Sequence, residues 1–387
     1  MLTTLLPFIP YLLSELPSQF FGFNLTGYAW IIMLLVTTYN LFLTTKISFP
    51  VLFWLPWVLY LIGYLVIDYS FIGFQLTLQY ILPVMIGIVA SGFNYSVVEL
   101  QWLFKWFMRL CASVFAMSVF GYLFRGGYTP ATAATPMLLS ISLSLICALY
   151  FTIGKTRYLI FAGLLFMAPV INVTRMGIAA MAAVFILHFA NRNLRGKLMY
   201  GLIGLVALLF VFNSKSFQEK TFFSGHGKLS DLAFNYFENQ DINNNDRHTW
   251  KDALQPGLET APAWGNGPRA DLAVLLVVSK ESNREAHNDY LAVRYNYGYI
   301  GLGLLLAGFI FTFFSIFRIS HRFIEDDFLW LLSTSTLTLF FSFFMFMYSD
   351  NILKYTVYFP NYFFAMIGII YSLKQDEDNG YYPIIQY

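Results

Sequence analysis

The segment from His287 to Leu302 combines an imidazole with a glycine pair at the start of a long apolar run. Nine residues separate the His287-Asn288 pair from Gly298, which forms a Gly-x-x-Gly step with Gly301. An unperturbed imidazole titrates at about pH 6.5, so a histidine here has the chemistry of a general acid or base. Helix capping or packing is the ordinary alternative for a single histidine at a helix start. The small residues of the Gly-x-x-Gly step predict close approach between membrane helices.

Three arginines are candidates for phosphate binding. Arg175 separates two apolar segments, Arg247 lies in a long polar loop, and Arg125 precedes two glycines. Charge beside a membrane segment is costly unless it faces a polar cavity, which makes Arg175 a functional candidate. A guanidinium fork binds phosphate oxygens in pairs. The simpler readings are a topology determinant for Arg175, a solvated loop residue for Arg247 and a turn for Arg125.

Other polar residues are candidates for substrate binding or for the base itself. Asp350 and Asn351 follow the eleventh apolar segment and are expected to orient a base or bind sugar, although a helix cap explains them as well. Asn288 is grouped with them as a substrate-binding candidate. His248, adjacent to Arg247, is the rival base that deserves a test.

Residues close to His287 in the chain are expected to support it. Glu285, Asp289 and Arg294 are predicted to form a local ion-pair cluster around the histidine. Tyr290 lies in the same segment, and the two glycines are assigned the same supporting role. None of these side chains is expected to react with substrate.

Composition sets the class of protein. The chain of 387 residues is 58% hydrophobic, 20% aromatic and only 11% charged, with a net charge of +2, so it has too few polar residues to cover a soluble globule. It is predicted to be a polytopic membrane protein, with the lipid bilayer as a partner and no nucleic acid. Cys111 and Cys147 both lie in apolar runs and are predicted to be packing residues rather than a disulfide or metal ligands.

Apolar runs long enough to cross a bilayer recur along the chain. A membrane helix needs about 20 apolar residues, with a range of roughly 17 to 25. The predicted spans are 2–22, 28–44, 50–68, 74–92, 102–123, 134–153, 157–173, 176–190, 197–213, 295–318, 327–348 and 356–373. The predicted fold is an all-α polytopic membrane protein with about twelve transmembrane helices. The two short segments around Arg175 are expected to form a tight hairpin or to include a re-entrant part.

The spans divide the chain and orient it. Its predicted parts are a bundle of about nine spans (1–213), a loop domain (214–286), about three C-terminal spans (287–373) and a tail (374–387). Because Lys and Arg concentrate in cytoplasmic loops, both termini are predicted to be cytoplasmic. The short outside loops then hold only Arg125, Arg175 and Lys354, and the loop domain is periplasmic.

The loop domain carries its own pattern. Residues 232–237 predict a short helix, and a second helix is predicted after Asp246, where Trp250 and Leu254 are spaced for one face. Pro256 and Gly257 are expected to interrupt that second helix. Residues 270–279 are apolar but too short to cross, so they are predicted to lie on the membrane surface.

Several of these motifs together resemble the bacterial O-antigen ligase and O-antigen polymerase superfamily. The His-Asn pair, nine residues and Gly-x-x-Gly at the exit of the large loop carry the likeness, as do Arg175 before small residues and Arg247 with its tryptophan and glycine turn. The likeness covers about residues 172–305. Thr174 stands where a serine is common before the arginine, which is a conservative departure.

The resemblance implies an integral-membrane glycosyltransferase of the bacterial inner membrane with a periplasmic active site. Such enzymes move a glycan from an undecaprenyl diphosphate carrier to a sugar hydroxyl on a glycan or lipid-linked acceptor. In this reading His287 is the general base, while Arg175 and Arg247 are catalytic and, with Arg125, bind the diphosphate. No cofactor is expected. Because no Asp-x-Asp motif faces a basic groove, and Asp326-Asp327 lies in a predicted cytoplasmic loop, metal-independent chemistry is predicted.

The sequence leaves three functions in competition. An O-antigen polymerase, favoured by the His-Asn-Asp-Tyr-Leu motif, joins lipid-linked repeat units, and a polysaccharide chain-length regulator is a plausible partner for it. An O-antigen ligase transfers the glycan to lipid A-core. A transporter or flippase of lipid-linked glycan is the more distant alternative. The chain shows no convincing internal repeat of the kind typical of transporters.

Overall fold

The computed structural model describes residues 2–8, 19–20, 23–124, 134–171, 174–189, 206, 209, 211–228, 230–231, 241, 247–278, 285–323 and 327–378. This described part of the chain is helical, which confirms the predicted all-α fold class. One small exception is an antiparallel pair of two-residue strands, β1 (Gln19–Phe20) and β2 (Phe23–Asn24).

Helices account for nearly all of the regular structure. In chain order they are α1 (Leu2–Leu5), α2 (Leu25–Leu43), α3 (Val51–Ile67), α4 (Phe71–Ser91), α5 (Val97–Phe124), α6 (Ala134–Ile153), α7 (Thr156–Ile171), α8 (Arg175–Phe189), α9 (Lys215–Thr221), α10 (Arg247–Thr260), α11 (Ala270–Val278), α12 (Asp289–Arg322), α13 (Asp327–Ser349) and α14 (Phe359–Asp378). Two single 3₁₀ turns, Leu6–Phe8 and Ile352–Lys354, complete the described elements.

Helix length and composition agree with a multi-pass membrane protein. Among the described residues, six helices are long and apolar enough to cross a membrane, namely α2, α4, α5, α6, α12 and α13. Helices α3, α7 and α8 are apolar but have only 15 to 17 residues. The predicted span 197–213 falls largely outside the described residues, so the number of about twelve spans stays a prediction.

The N-terminal segment differs from a single regular span. Residues 2–22 were expected to form an irregular first span, whereas the described residues there form α1, a 3₁₀ turn and the strand β1. The strand pairs with β2, which leads directly into α2. Residues 9–18 lie outside the described part.

An aromatic core joins the last three helices. Helix α13 packs against α6, α8 and α12, and α14 packs along α4. The buried rings of Phe309 and Phe343 have centroids 4.9 Å apart, as do those of Phe340 and Phe363. Because lipid tails are as apolar as these side chains, close ring contact rather than water exclusion holds such helices together.

Glycines allow α12 to approach α3 closely. A Cβ on Gly301 would lie 3.1 Å from the Tyr60 ring, and a Cβ on Gly308 would lie 3.0 Å from the Trp54 ring. Trp54 Nε1 also donates a hydrogen bond of 3.0 Å to Thr312 Oγ1 across the same contact. This contact agrees with the close helix approach predicted for Gly301.

The loop domain packs on the N-terminal part of α12. Helix α10 confirms the predicted helix bearing Trp250 and Leu254, and α11 matches the predicted apolar segment. Both helices contribute to an apolar cluster with α12 that contains Trp250, Leu254, Leu258, Leu275 and Tyr295. Val277, on the opposite side of α11, is 84% exposed, so the predicted membrane-surface position of α11 stays a prediction. The helix predicted over 232–237 lies outside the described residues.

The predicted helix break at Pro256 and Gly257 is wrong. Helix α10 runs through both residues and ends at Thr260. A proline inside a helix costs stability because it lacks the N–H donor and crowds the preceding turn. Here Gly257 lies flat against the Tyr295 ring, where an added Cβ would be 2.4 Å from a ring carbon, so packing on α12 holds the helix in place.

Gly298 breaks the regular course of α12 near its N-terminal end. Its φ of 66° and ψ of −170° are outside the helical region, and a side chain is disfavoured there. The backbone N–H and C=O groups that lose their helical partners at the break form hydrogen bonds with the turn 262–267. The four bonds are Asn266 N–H to Tyr295 O (2.9 Å), Gly267 N–H to Asn296 O (3.0 Å), Tyr299 N–H to Pro262 O (2.9 Å) and Ile300 N–H to Ala263 O (3.1 Å). The kink therefore anchors the loop domain to the bundle.

Candidate active site

His287 lies immediately before α12, at the place where the loop domain rejoins the bundle. The side chain of Asn288 caps the helix by accepting a hydrogen bond of 3.0 Å from Leu291 N–H. Asn side chains are favoured at this position because they satisfy a helix N–H that otherwise has no partner. The Asn288 side chain, predicted to bind substrate, therefore caps the helix in this structure. The cap fixes the direction in which the chain at His287 enters the helix.

Asp350 is the hydrogen-bond partner of the histidine. His287 Nδ1 lies 3.1 Å from Asp350 Oδ1, and the Asn351 backbone N–H donates to the same oxygen at 2.9 Å. A carboxylate oxygen accepts, so the bond assigns a proton to Nδ1, and in the neutral imidazole Nε2 then keeps its lone pair. Within the described part of the chain Nε2 has no hydrogen-bond partner, and the His287 side chain is 42% exposed. The pair has the geometry of an oriented general base.

Burial and charge shape the surroundings of Asp350. Its side chain is 14% exposed, compared with 42% for His287. Burial, followed by the nearby Asp350 carboxylate, raises the pKa of the Tyr355 phenol well above its usual value. The Tyr355 phenol therefore stays protonated at neutral pH.

Trp250 connects the loop domain to the histidine. The centroids of the Trp250 and His287 rings lie 5.4 Å apart with the planes tilted by 51°. Trp250 is on the first turn of α10, which begins at Arg247. Residues three apart on a helix are neighbours, so the backbone of Arg247 lies next to that of Trp250. The side chains of Arg247 and His248 lie outside the described residues.

Arg175 begins α8 at the same end of the bundle as Asp350. His188, at the other end of α8, places its Nε2 3.2 Å from Thr338 Oγ1 on the antiparallel helix α13. At about 1.5 Å per residue, Arg175 is about 20 Å from His188 along the helix axis, and Asp350 is about 18 Å from Thr338. The two predicted site residues therefore lie at a similar height on packed helices. Arg125 lies outside the described residues.

Lys220 is a second cation near Arg175, and it was not predicted. Partial desolvation, followed by repulsion from Arg175, lowers the pKa of the ammonium of the exposed Lys220. The lysine is on the short helix α9 of the loop domain. Nothing in its local sequence distinguishes it from a solvated lysine, because only the fold brings α9 to the start of α8. Two cations held near each other are suited to binding an anion with more than one charge.

A buried ion-pair network beside the histidine was also missed. Glu285 Oε1 lies 2.6 Å from Arg269 Nη2, and Glu285 Oε2 lies 3.0 Å from Lys354 Nζ. Asn351 Nδ2 donates to the same Oε2 at 3.1 Å. Burial would raise the pKa of the Glu285 carboxyl, but attraction to Lys354 and Arg269 outweighs it and lowers the pKa to about 2. The closeness of Glu285 to His287 in the chain was the only sequence signal.

The local ion-pair cluster predicted for Glu285, Asp289 and Arg294 is wrong. Glu285 pairs with the distant cations just described. Asp289 is fully buried and accepts a hydrogen bond of 3.0 Å from Leu353 N–H, while Arg294 stacks over the Tyr299 ring at 4.4 Å. Helix geometry separates these side chains, because residues 285, 289 and 294 do not share one face after the chain turns into α12.

Two further predicted residues have structural contacts. Tyr290 donates a hydrogen bond of 3.2 Å from its hydroxyl to Phe344 O, which joins α12 to α13. Asn351, expected to bind sugar, is 2% exposed and is bonded to Glu285. Among the described residues no group of three or more His, Cys, Asp or Glu side chains is placed to hold a metal ion.

Comparison with known families adds to this geometry. Residues 160–306 match the family model for O-antigen ligase. The match supports the O-antigen ligase and polymerase superfamily of membrane proteins, which confirms the resemblance predicted from the sequence. It covers Arg175, Arg247, His287 and both glycines of the Gly-x-x-Gly step, whereas Asp350 and Lys354 lie beyond it. A search of curated proteins found no match.

Proposed function

We propose that this protein is an O-antigen polymerase of the bacterial inner membrane. It transfers a glycan from an undecaprenyl diphosphate carrier to a sugar hydroxyl of another lipid-linked repeat unit. Both termini are cytoplasmic in this proposal, and the reaction takes place on the periplasmic face. The single observation that carries it is the His287–Asp350 pair, which leaves a proton-accepting nitrogen open at one end of the bundle.

The proposed reaction needs one proton transfer and one bond exchange. His287 Nε2 takes the proton of the acceptor hydroxyl as the hydroxyl oxygen attacks the anomeric carbon of the donor. The bond from that carbon to the diphosphate oxygen breaks, and the carrier diphosphate leaves with the electron pair. Asp350 holds the ring and stabilises the imidazolium that forms. A positioned general base contributes about 10²- to 10⁴-fold in rate.

Cations hold the donor in this proposal. Arg175, Lys220 and Arg247 bind the diphosphate and neutralise the charge that develops on it as it leaves. Arginine forks suit this task because they bind two phosphate oxygens at once. Charge stabilisation by preorganised groups is commonly the largest contribution to such catalysis. Arg125, which lies in the connection between α5 and α6, is the further candidate for this anion site.

The ligase function stays as the second candidate, because the matching family model is described as O-antigen ligase. The same base and cations serve both reactions, and only the acceptor differs. A deletion strain separates them. Accumulation of core carrying a single repeat indicates a polymerase, whereas loss of all core-attached chain with accumulation of lipid-linked polymer indicates a ligase.

Substitutions test the site directly. We expect Arg175→Ala and Arg247→Ala, each compared with wild type at matched membrane expression, to abolish surface polysaccharide. Arg157→Ala is a matched control, because this exposed arginine stacks on its neighbour Tyr158, at the opposite end of the helix hairpin from Arg175. Wild-type product from both site variants would contradict the proposed cation site.

A further inference from the structure

The carboxylate of Glu285 joins three separate parts of the chain around the histidine. Arg269 follows the glycine turn that is bonded to the α12 kink, Glu285 precedes His287 by two residues, and Lys354 lies in the connection from α13 to α14. The side chains of Arg269, Glu285 and Lys354 are 15%, 24% and 6% exposed. The network is therefore largely buried. Buried ion pairs are screened less than exposed ones.

Each member of the His287–Asp350 pair is close in the chain to a residue that takes part in the Glu285 network. Glu285 is two residues from His287, and Asn351, which donates to Glu285, directly follows Asp350. The Asn351 backbone N–H also bonds to the Asp350 carboxylate at 2.9 Å. A displacement of Glu285 relative to Lys354 would thus change the distance between the imidazole and its carboxylate.

The backbone at Arg269 indicates a position held by its surroundings. Its φ is 70°, in the left-handed region that residues other than glycine adopt at a cost of about 1 kcal/mol or more. The 2.6 Å ion pair to Glu285 is the contact that holds the side chain. The turn before Arg269 is hydrogen-bonded to α12, and Glu285 also pairs with Lys354, so the network links the loop domain to the α13–α14 connection.

We propose that Glu285, Arg269 and Lys354 are positioning residues that set the His287–Asp350 geometry for glycan transfer. The inference rests on the proposed function, because it assigns these residues a role in the same reaction. They act through the base and do not contact substrate. Loss of the network lowers kcat, while KM for the lipid-linked donor changes little because the network residues do not hold the donor.

A double-variant cycle tests whether Glu285 acts through Asp350. Glu285→Gln keeps the size of the side chain and removes its charge, and we expect kcat to fall by about 3- to 30-fold, no more than for Asp350→Asn, with KM within about twofold. If Glu285 acts through the pair, adding Glu285→Gln to Asp350→Asn lowers kcat no further than Asp350→Asn alone. Additive losses would overturn the inference.

Lys354 provides a second series in case Glu285→Gln fails to accumulate. Lys354→Arg keeps the charge and is expected to retain most of the activity, whereas Lys354→Met is expected to lose as much kcat as Glu285→Gln. Equal activity of Lys354→Met and wild type would contradict the positioning role. Size-exclusion profile and thermal unfolding of each purified variant identify any loss that is due to misfolding.

A readout independent of activity separates this inference from the proposed function. The double variant His287→Cys/Asp350→Cys is treated with a short bifunctional thiol crosslinker, with and without Glu285→Gln. We expect crosslinking to be several-fold slower when Glu285→Gln is present. An unchanged rate would overturn the positioning role even if the protein transfers glycan. A changed rate, together with no glycan transfer by the wild-type protein, would instead contradict the proposed function alone.

Discussion

Replacing Asp350 by asparagine removes one charge from the site with almost no change in size. Asp350 Oδ1 accepts from His287 Nδ1 at 3.1 Å and from Asn351 N–H at 2.9 Å. An asparagine oxygen accepts both bonds as well, so the backbone at the end of α13 is expected to stay in place. What is lost is the negative charge that stabilises the imidazolium when the acceptor proton arrives.

The size of the effect follows from the geometry. A hydrogen bond to a charged group contributes about 1.5–3 kcal/mol, against about 0.5–1.5 kcal/mol for a neutral one. The loss is the difference between these two values, and solvent screening of the partly exposed Asp350 keeps it to about 1–2 kcal/mol. At about 1.4 kcal/mol per tenfold, this is a 5- to 30-fold fall in kcat/KM. The fall should be in kcat, because the carboxylate does not belong to the proposed donor site.

The assay is transfer of labelled glycan between synthetic lipid diphosphates by purified protein in detergent. Asp376→Asn is the matched control, because Asp376 also forms an ion pair, at 3.0 Å with Lys46, near the far end of α14. That control is expected to keep wild-type kcat/KM. The reasoning is refuted if Asp350→Asn is as active as Asp376→Asn, or if its loss is entirely in KM.

The remaining predictions concern the kink, the ion network and metal dependence. Gly298→Ala is expected to lower thermal stability and activity, since its Cβ would lie 2.1 Å from Ala263 O. The control Gly303→Ala, with open space around its Cβ, should change neither. Equal melting temperatures of the two variants would contradict the structural role of the kink. Glu285, with its pKa lowered from 4.5 to about 2, stabilises the fold above about pH 4.5 by about 3 kcal/mol, and this is lost as pH falls toward 2. Glu285→Gln should therefore unfold more readily than wild type at pH 7, with the gap narrowing below pH 4; a constant gap would exclude this ionic origin. EDTA should leave glycan transfer intact, and a loss restored by magnesium or manganese would contradict metal-independent chemistry.

The sequence predicted the helices well where apolar runs are bounded by turn residues. The predicted segment 134–153 coincides with α6, and 50–68 differs from α3 by one residue at each end. It failed at Pro256, because a local helix breaker was outweighed by packing of α10 on Tyr295, which is distant in the chain. Tertiary contacts of this kind leave no trace in local composition.

The site shows the same division between local and distant information. His287 and Gly298 were found because their spacing is a recognisable motif. Gly298 was assigned to close helix packing, however, and its backbone kink depends on the turn 262–267, which no periodicity reveals. Asp350 was a candidate, but its bond to a histidine 63 residues away required the fold. Glu285 was paired with the wrong partners for the same reason.

The role of His287 as the general base is the central claim, and one measurement tests it most directly. Purified wild-type protein and His287→Gln are given a lipid-diphosphate oligosaccharide donor and a lipid-linked acceptor, without any ion gradient, and product is quantified. Transfer by wild type with at least a 100-fold lower kcat for His287→Gln is the predicted result. Transfer by His287→Gln at the wild-type rate, in protein with the same melting temperature, would contradict the account.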